Sequence, residues 1–229
     1  MHLLIVAATP FEIAPLITFL NETFESEKNF SWKKAEVELD VLITGVGMPL
    51  TAYYLAKKLS QKEYHLLINA GIAGSFDQEF PLGKVVQVES ERFADLGVEE
   101  ADGSFTDVHD LQLIDSNIPP FKNGVLVNPT TEAFNFLPKV HAISVNKVHG
   151  SIHSIEKIRA KYPAVQTESM EGAAFFYVSL MEQKNFLQIR SISNYVEARN
   201  RDNWNIPLAI ENLNNVLKEM ISSFLPSSS

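Results

Sequence analysis

The sequence predicts one α/β domain built on a central mixed, mostly parallel β-sheet flanked by helices. Three observations point there. Short apolar runs alternate with amphipathic stretches along the whole chain, the pattern of strands feeding helices. The 229 residues show no abrupt compositional shift that would mark a linker, and that length suits a single domain. Hydrophobic residues make up 45% and charged residues 21%, so a full core can form and disorder is expected only at the ends.

Taken in order, the run LLIVAA reads as a first strand, followed by a helix from about Pro10. VELDVLITGVG reads as a strand and glycine turn, and the stretch around PLTAYYLAKKL as the next helix. HLLINAG then predicts a strand ending in a glycine turn, with KVVQVES as the strand after it. The segment from about Ala94 to Asp110 is acidic and poor in apolar residues and is expected to be a long, mobile loop. GVLVNP and HAISVNKVHG follow as apolar runs, then a helix around SIHSIEKIRAKY, the run AVQTES and a helix around MEGAAFFYVSLMEQ. FLQIRSIS is the last strand, and IPLAIENLNNVLKEMI the closing helix. The domain is expected over residues 1–225, and 226–229 as a disordered tail within the frayed stretch SSFLPSSS.

Composition excludes several classes of function. A formal charge of -9, with 19 Lys and Arg scattered among 28 acids, argues against nucleic acid as a partner, because phosphate-backbone binding needs a basic stripe. The absence of cysteine removes disulfides and thiolate chemistry and fits a reducing compartment. The first ten residues lack a basic region, and Pro10 and Glu12 follow a short apolar run, so they read as a core strand rather than a signal peptide. No stretch approaches the length of a membrane span. A cytoplasmic protein is expected.

Parallel α/β sheets place ligands beyond the carboxyl ends of their strands, so the strand-to-loop junctions at Ala8, Gly45, Gly71, Ser169 and Asn194 are the places to look. TPFE at residues 9–12 fits a capping box, with Thr9 as N-cap, Pro10 at the first helical position and Glu12 reaching back. It also sets a carboxylate at the mouth of the sheet, where it could bind a water. GVGMP and NAGIAGS are glycine turns that could let backbone N–H groups approach a ligand or could be turns only. Neither matches a dinucleotide or Walker loop. In TESMEGAAFF, Glu168 and Glu171 could serve only the helix macrodipole, and Glu171 is also a second candidate functional carboxylate. His149 and His153 lie four apart with no third ligand in register, so neither a metal nor a cofactor is expected. No G-x-S-x-G element is present. Asn194 disfavours a strand yet ends the apolar run RSISNYV, behind Ser191 and Ser193, and Arg199, Arg201 and Trp204 follow it. Arginines there could be solvated loop residues or could pair with a substrate carboxylate.

Assembled in order, Glu12, NAGIAG, SMEGAA and RSISN make the chain resemble the purine nucleoside phosphorylase and nucleosidase superfamily over nearly its whole length, and its futalosine hydrolase subgroup most of all, through VNKVHGS and SISNYVEARNRDNWNIP. The resemblance implies a phosphorylase/hydrolase-like fold, cleavage of a ribosyl–purine bond, a small nucleoside substrate, and assembly as dimers or multiples of dimers. By resemblance, Glu12 activates the attacking water and Glu171 binds the ribose hydroxyls. Met170 lines the sugar, while Gly71, Ala73 and Gly74 lie beside the purine and Ser193 accompanies Asn194. Asn194 stands where the related methylthioadenosine/S-adenosylhomocysteine nucleosidases carry an aspartate. Arg199 is offered as partner for a substrate carboxylate.

The departing purine gains a proton at N7. Adenine then presents two donors on that edge, N7–H and the 6-amino group, whereas hypoxanthine presents N7–H and the acceptor O6. An amide, with one acceptor and one donor end, matches the second edge. Asn194 therefore predicts a 6-oxopurine leaving group, with futalosine the expected substrate. A methylthioadenosine/S-adenosylhomocysteine nucleosidase, or a non-catalytic nucleoside-binding module, is the alternative. Pro81-Leu82-Gly83 occupies a junction where several phosphorylases carry an arginine, which favours water over phosphate as nucleophile, although Lys84 and Arg92 are near in sequence.

Overall fold

The computed structural model describes residues 1–27, 30–130 and 135–226. In chain order its elements are β1 (His2–Ala7), α1 (Pro10–Thr23), β2 (Glu25–Ser26), β3 (Ser31–Lys34), β4 (Val37–Ile43), α2 (Met48–Leu59), β5 (Leu66–Ser75) and β6 (Val85–Glu91). A small hairpin of β7 (Gly97–Glu99) and β8 (Phe105–Asp107) follows, then β9 (Phe121–Lys122), β10 (Val125–Val127) and β11 (Lys139–Ser144). The chain ends with α3 (Ile152–Lys161), β12 (Thr167–Ser169), α4 (Gly172–Met181), β13 (Phe186–Tyr195) and α5 (Ile206–Ser223).

The expected strand and helix alternation is present, and the sheet is mixed. β1 pairs in parallel with β4 and β5, β11 with β6 and β12, and β13 with β5. The pairs β12–β5 and β13–β6 are antiparallel. These pairings run β5–β12–β11–β6–β13 and back to β5, so the middle of the sheet closes on itself. Closure carries the ends of β5, β12 and β13 to one rim.

Alternate residues of β1 explain the layers, since successive side chains of a strand point to opposite faces. Leu3, Ile5 and Ala7 join Ile13, Leu16 and Leu20 of α1 and Leu213 and Leu217 of α5 in one core cluster. Leu4 and Val6 join Met48 and Leu55 of α2 and Phe175 and Phe176 of α4 in another. With helices covering both faces, the strands read as near-continuous apolar runs.

Three expectations are corrected. NAGIAGS does not turn at Gly71; β5 continues through Gly71, Ala73 and Gly74 to Ser75 because β12 and β13 pair with that stretch. The segment 94–110 is not featureless, since it holds the β7–β8 hairpin, whose connection turns at Gly103 with a φ of 76°. Of SSFLPSSS, Ser222 and Ser223 belong to α5, and Phe224 and Leu225 pack against the first core cluster. The rest of the expected tail, 227–229, lies outside the described residues. No helix among the described residues is long and apolar enough to cross a membrane.

Candidate active site

Glu12 sits in the first turn of α1, at a place where that helix is not regular. Pro15 lies inside it and Ile13 has a non-helical φ of -123°. Asn214 of α5 occupies the gap: its Oδ1 accepts from the Leu16 N–H at 3.0 Å and its Nδ2 donates to the Glu12 carbonyl at 2.8 Å. An amide has thus replaced the Glu12-to-Leu16 hydrogen bond of a regular helix, a known cause of kinks. Asn214→Leu is expected to lower stability by about 1–3 kcal/mol, because it strands the buried Leu16 N–H and Glu12 carbonyl, and to reduce activity through the displaced Glu12. Urea denaturation and turnover measured on one preparation check both; a stable, fully active variant would remove Asn214 from the site.

The two carboxylate oxygens of Glu12 point to different partners in the folded chain. Its Oε2 accepts from the Thr9 N–H and hydroxyl, each at 3.0 Å, which is the cap. Its Oε1 points the other way and accepts from the Ile72 N–H at 3.3 Å. A Cβ at residue 71 would lie 2.9 Å from that Oε1 and 3.6 Å from Arg190 Nη1. Gly71 is therefore small so that a carboxylate and a guanidinium can lie over β5, not so that the chain can turn.

Glu171 directly precedes α4 and does not cap it. Its carboxylate accepts from the Gly47 N–H, at the start of α2, at 2.9 Å. Gly47 has a φ of 101°, a conformation glycine reaches without strain; here GVGMP is the turn the sequence predicts. Burial raises the Glu171 pKa, with the Glu12 carboxylate adding to the rise and Arg190 opposing it. Glu12, Glu171 and Arg190 thus share one electrostatic environment. Half-buried Met170 lies between β12 and Glu171.

Arg190 is 2% exposed. Its guanidinium donates to the Ile189 carbonyl at 3.1 Å and to the Asn69 Oδ1, and burial lowers its pKa against the attraction of Glu171, Glu91 and Glu12. Behind it, fully buried Glu91 accepts from Gln188 Nε2 at 2.6 Å and from the Ser144 hydroxyl at 3.1 Å, and Ser144 Oγ in turn accepts from the Ala173 N–H at 2.7 Å. This chain anchors the beginning of α4 and so holds Glu171. A Cβ at Gly172 would fall 1.8 Å from Glu91 Oε1.

Burial pushes the Glu91 carboxyl up from 4.5 to about 7. The folded state then binds the proton more tightly than the unfolded state, so this group's contribution to stability is present below about pH 4.5 and is lost as pH rises through about 7. The span corresponds to a few kcal/mol at most, at about 1.4 kcal/mol per pKa unit. Wild-type Tm minus Glu91→Gln Tm is expected to fall between pH 5 and pH 8; a difference that does not change with pH would mean Glu91 is ionised throughout.

Asn194 lies on β13, at a bulge. Ile192 pairs with Ala73 and Asn194 with Gly74, leaving Ser193 as the extra residue. Bulges re-aim side chains, and this one brings Ser193 and Asn194 to the rim together. Asn194 Nδ2 donates to the Tyr195 carbonyl at 2.9 Å, and Ser193 Oγ donates to Asn194 Oδ1 at 2.9 Å while lying 3.3 Å from the Ala73 carbonyl. A carbonyl can only accept, so the Tyr195 contact decides which end of the amide is the donor. A Cβ at Gly74 would stand 3.1 Å from Nδ2, so glycine there gives the amide room. Gly74, Val148, His149, Glu168, Asn194 and Trp204 are among the walls of one cavity.

Arg199 borders the same cavity, with its guanidinium 5.2 Å from the Trp204 ring centre and its N–H on the Gly150 carbonyl at 3.0 Å. Arg201 stacks on the same ring at 5.9 Å. Arg199 and Asn194 thus line one cavity. Arg92 lies elsewhere, over the Tyr162 ring and against a second cavity lined by Lys122 and His141.

These elements, in this order along the chain, are matched by the Phosphorylase superfamily over residues 2–222. The chain belongs to that superfamily. Within it, the chain is 30% identical over 187 residues to a futalosine hydrolase of Streptomyces coelicolor, covering 79% of this chain and 77% of that protein. A futalosine hydrolase of Acidothermus cellulolyticus is 30% identical over 176 residues, 76% and 71% of the two chains. Among solved structures, the native futalosine hydrolase of Helicobacter pylori superposes with a TM-score of 0.76 at 14% identity, covering 97% of this chain and 98% of that one. The methylthioadenosine/S-adenosylhomocysteine nucleosidase of Colwellia psychrerythraea, solved with adenine, gives 0.78 at 18% identity, covering 97% and 95%. These two likenesses are of fold.

For a phosphorylase-superfamily chain, the sequence reading missed Arg190, Glu91, Gln188 and Asn214. The first three lie in apolar strand runs, where the one available signal was a charged or amide residue interrupting a buried strand. For Glu168 the sequence leaves a helix-dipole role open. The structure puts Glu168 on β12, buried, with the His149 N–H donating to its Oε1 at 3.0 Å and His149 Nδ1 on its Oε2. Among the described residues no group of three or more His, Cys, Asp or Glu could hold a metal.

Proposed function

We propose that this N-glycosidic hydrolase cleaves a 6-oxopurine nucleoside, with futalosine as its substrate and hypoxanthine and dehypoxanthinyl futalosine as products. The observation that carries the reading is the orientation of the Asn194 amide at the cavity, its donor end set by the Tyr195 carbonyl and its acceptor end by Ser193. Such an amide complements N7–H and O6 together, whereas the two donors of departing adenine leave Nδ2 opposite a donor. The 30% identity to two futalosine hydrolases supports the same substrate.

In this reading Glu12 takes a proton from the attacking water and Glu171 holds the ribose hydroxyls, where its charge stabilises the oxocarbenium-like sugar. Met170 lines the sugar, and Gly71, Ala73 and Gly74 form the floor. Arg199, which borders the Asn194 cavity and stacks on Trp204, is the proposed partner for a substrate carboxylate. Arg92 is turned to a separate cavity, which supports water as nucleophile. On this reading the enzyme serves an alternative route to menaquinone, in the cytoplasm, as a dimer or a multiple of dimers, the assembly being checked by light scattering.

Parallel incubations with futalosine, inosine and methylthioadenosine, following free base by chromatography, test the proposal. Hypoxanthine from futalosine, at a rate indifferent to added phosphate, is the expected result. Faster release of adenine from methylthioadenosine would replace this reading with that of the adenine-specific nucleosidases, and a phosphate-dependent rate would make the protein a phosphorylase.

A further inference from the structure

A purine that departs with N7 protonated needs an acid, and an amide has no proton to give. Asn194 can accept the N7–H bond once it exists, but it cannot create it. The group that supplies this proton must border the same cavity and change charge in the neutral range, which among side chains points to imidazole.

His149 is an imidazole at that cavity. It borders the cavity with Asn194 and Gly74, and its side chain is 16% exposed while that of Glu168 is 3% exposed. The contact between His149 Nδ1 and Glu168 Oε2 and the 3.0 Å bond from the His149 N–H to Oε1 hold ring and carboxylate as one unit. A carboxylate accepts only, so the Nδ1 proton is directed at Glu168. Nε2 is then the nitrogen left to exchange a proton with a ligand. In Ser-His-Asp triads a carboxylate fixes the tautomer and orientation of the proton-transferring imidazole in the same way. Charged neighbours of His149 are Glu168 on β12, and Arg199 and Glu197 in the segment after β13; Glu197 is occupied by Asn203 Nδ2 at 2.6 Å.

The geometry points to His149 as the general acid of the reaction, protonated on Nε2 and delivering that proton to N7 of the departing purine, with Glu168 as its positioning residue. This inference rests on the hydrolase reading above. The step balances. The C1′–N9 bond breaks and its electron pair enters the purine, N7 takes the His149 proton, and the water oxygen bonds to C1′ as its proton passes to Glu12. Solvent then returns a proton from Glu12 to His149. Asn194 and His149 divide the work: the amide selects the oxopurine edge, and the imidazole supplies the proton that an aspartate at position 194 would otherwise carry.

The test compares two leaving groups in wild type and His149→Gln. Hypoxanthine must be protonated as it leaves futalosine, whereas p-nitrophenolate leaves p-nitrophenyl riboside as an anion. His149→Gln is expected to lower kcat for futalosine by about 10²–10⁴-fold, the range of a lost general acid, and to leave p-nitrophenolate release near wild type. The pH profile of kcat for futalosine should also differ between wild type and His149→Gln, because the variant has no imidazole proton to transfer. Glu168→Gln, with the His149 ring retained, should lower kcat with little change in KM. Equal losses on both substrates, or the same pH profile in wild type and His149→Gln, would overturn the assignment. Failure of wild type to release hypoxanthine would instead overturn the functional reading beneath it.

Discussion

Glu12→Gln is expected to lower turnover of futalosine by about 10²–10⁴-fold, the usual worth of a general base, while leaving substrate affinity and Tm close to wild type. The substitution separates the two things Glu12 does. A capping box accepts glutamine as readily as glutamate, and the carbonyl of the substituted side chain, turned toward Thr9, keeps both cap bonds now made by Oε2. Only the weaker contact to the Ile72 N–H, at 3.3 Å, faces the amide nitrogen. What an amide cannot do is take a proton from water. If Glu12 were a cap alone, the variant would turn over normally; stopped assays for kcat, equilibrium binding of substrate to the variant and a thermal melt decide among these outcomes. A variant that melts early and binds nothing would show that the carboxylate charge beside Arg190 holds the site together.

Asn194→Asp is expected to invert base preference, measured as the ratio of kcat/KM for inosine-type to adenosine-type substrates. A pocket built around specific hydrogen bonds can discriminate by about 10⁴-fold or more, and the donor at Nδ2 is the atom that the substitution removes. A carboxylate presents two acceptors, which suit N7–H and a 6-amino group and oppose O6. Total activity should fall as well, because one carboxylate oxygen would face the Tyr195 carbonyl where Nδ2 now donates at 2.9 Å. The ratio, not the absolute rate, is therefore the readout. An unchanged preference would mean that the amide does not touch the base. The variant also bears on His149: an aspartate that carries its own proton should make His149→Gln less damaging in the Asn194→Asp background than in the wild type, a coupling that a double-mutant cycle measures.

The relation between Glu91 and Gly172 shows how far local reasoning reaches. Gly172 is a small residue at the start of α4, and its size permits close packing. What it packs against is a carboxylate at the end of β6, far earlier in the chain, whose Oε1 leaves no room for a methyl group. Gly71 and Gly74 repeat the lesson. They were expected to turn the chain and instead lie flat in β5, one beneath Glu12 and Arg190, the other beneath Asn194. Glycine at such positions signals close approach as well as turning, and a single strand of sequence does not say from which side the neighbour comes.

The strand–helix alternation, the two-sided core, the start of α1 at Pro10, the turn at Gly47, and the placing of Glu12 and Glu171 beside helix starts were all legible in the order of residues. They follow from periodicity and capping chemistry that act within a few residues. Folding in three dimensions added what no local pattern contains: the sheet closes on itself, a bulge at Ser193 aims Asn194, Asn214 enters a kink in α1, and His149 meets Glu168. Each of those depends on the register between strands or helices far apart in the chain, which is set by the joint packing of the core and by the need of every buried polar group for a partner.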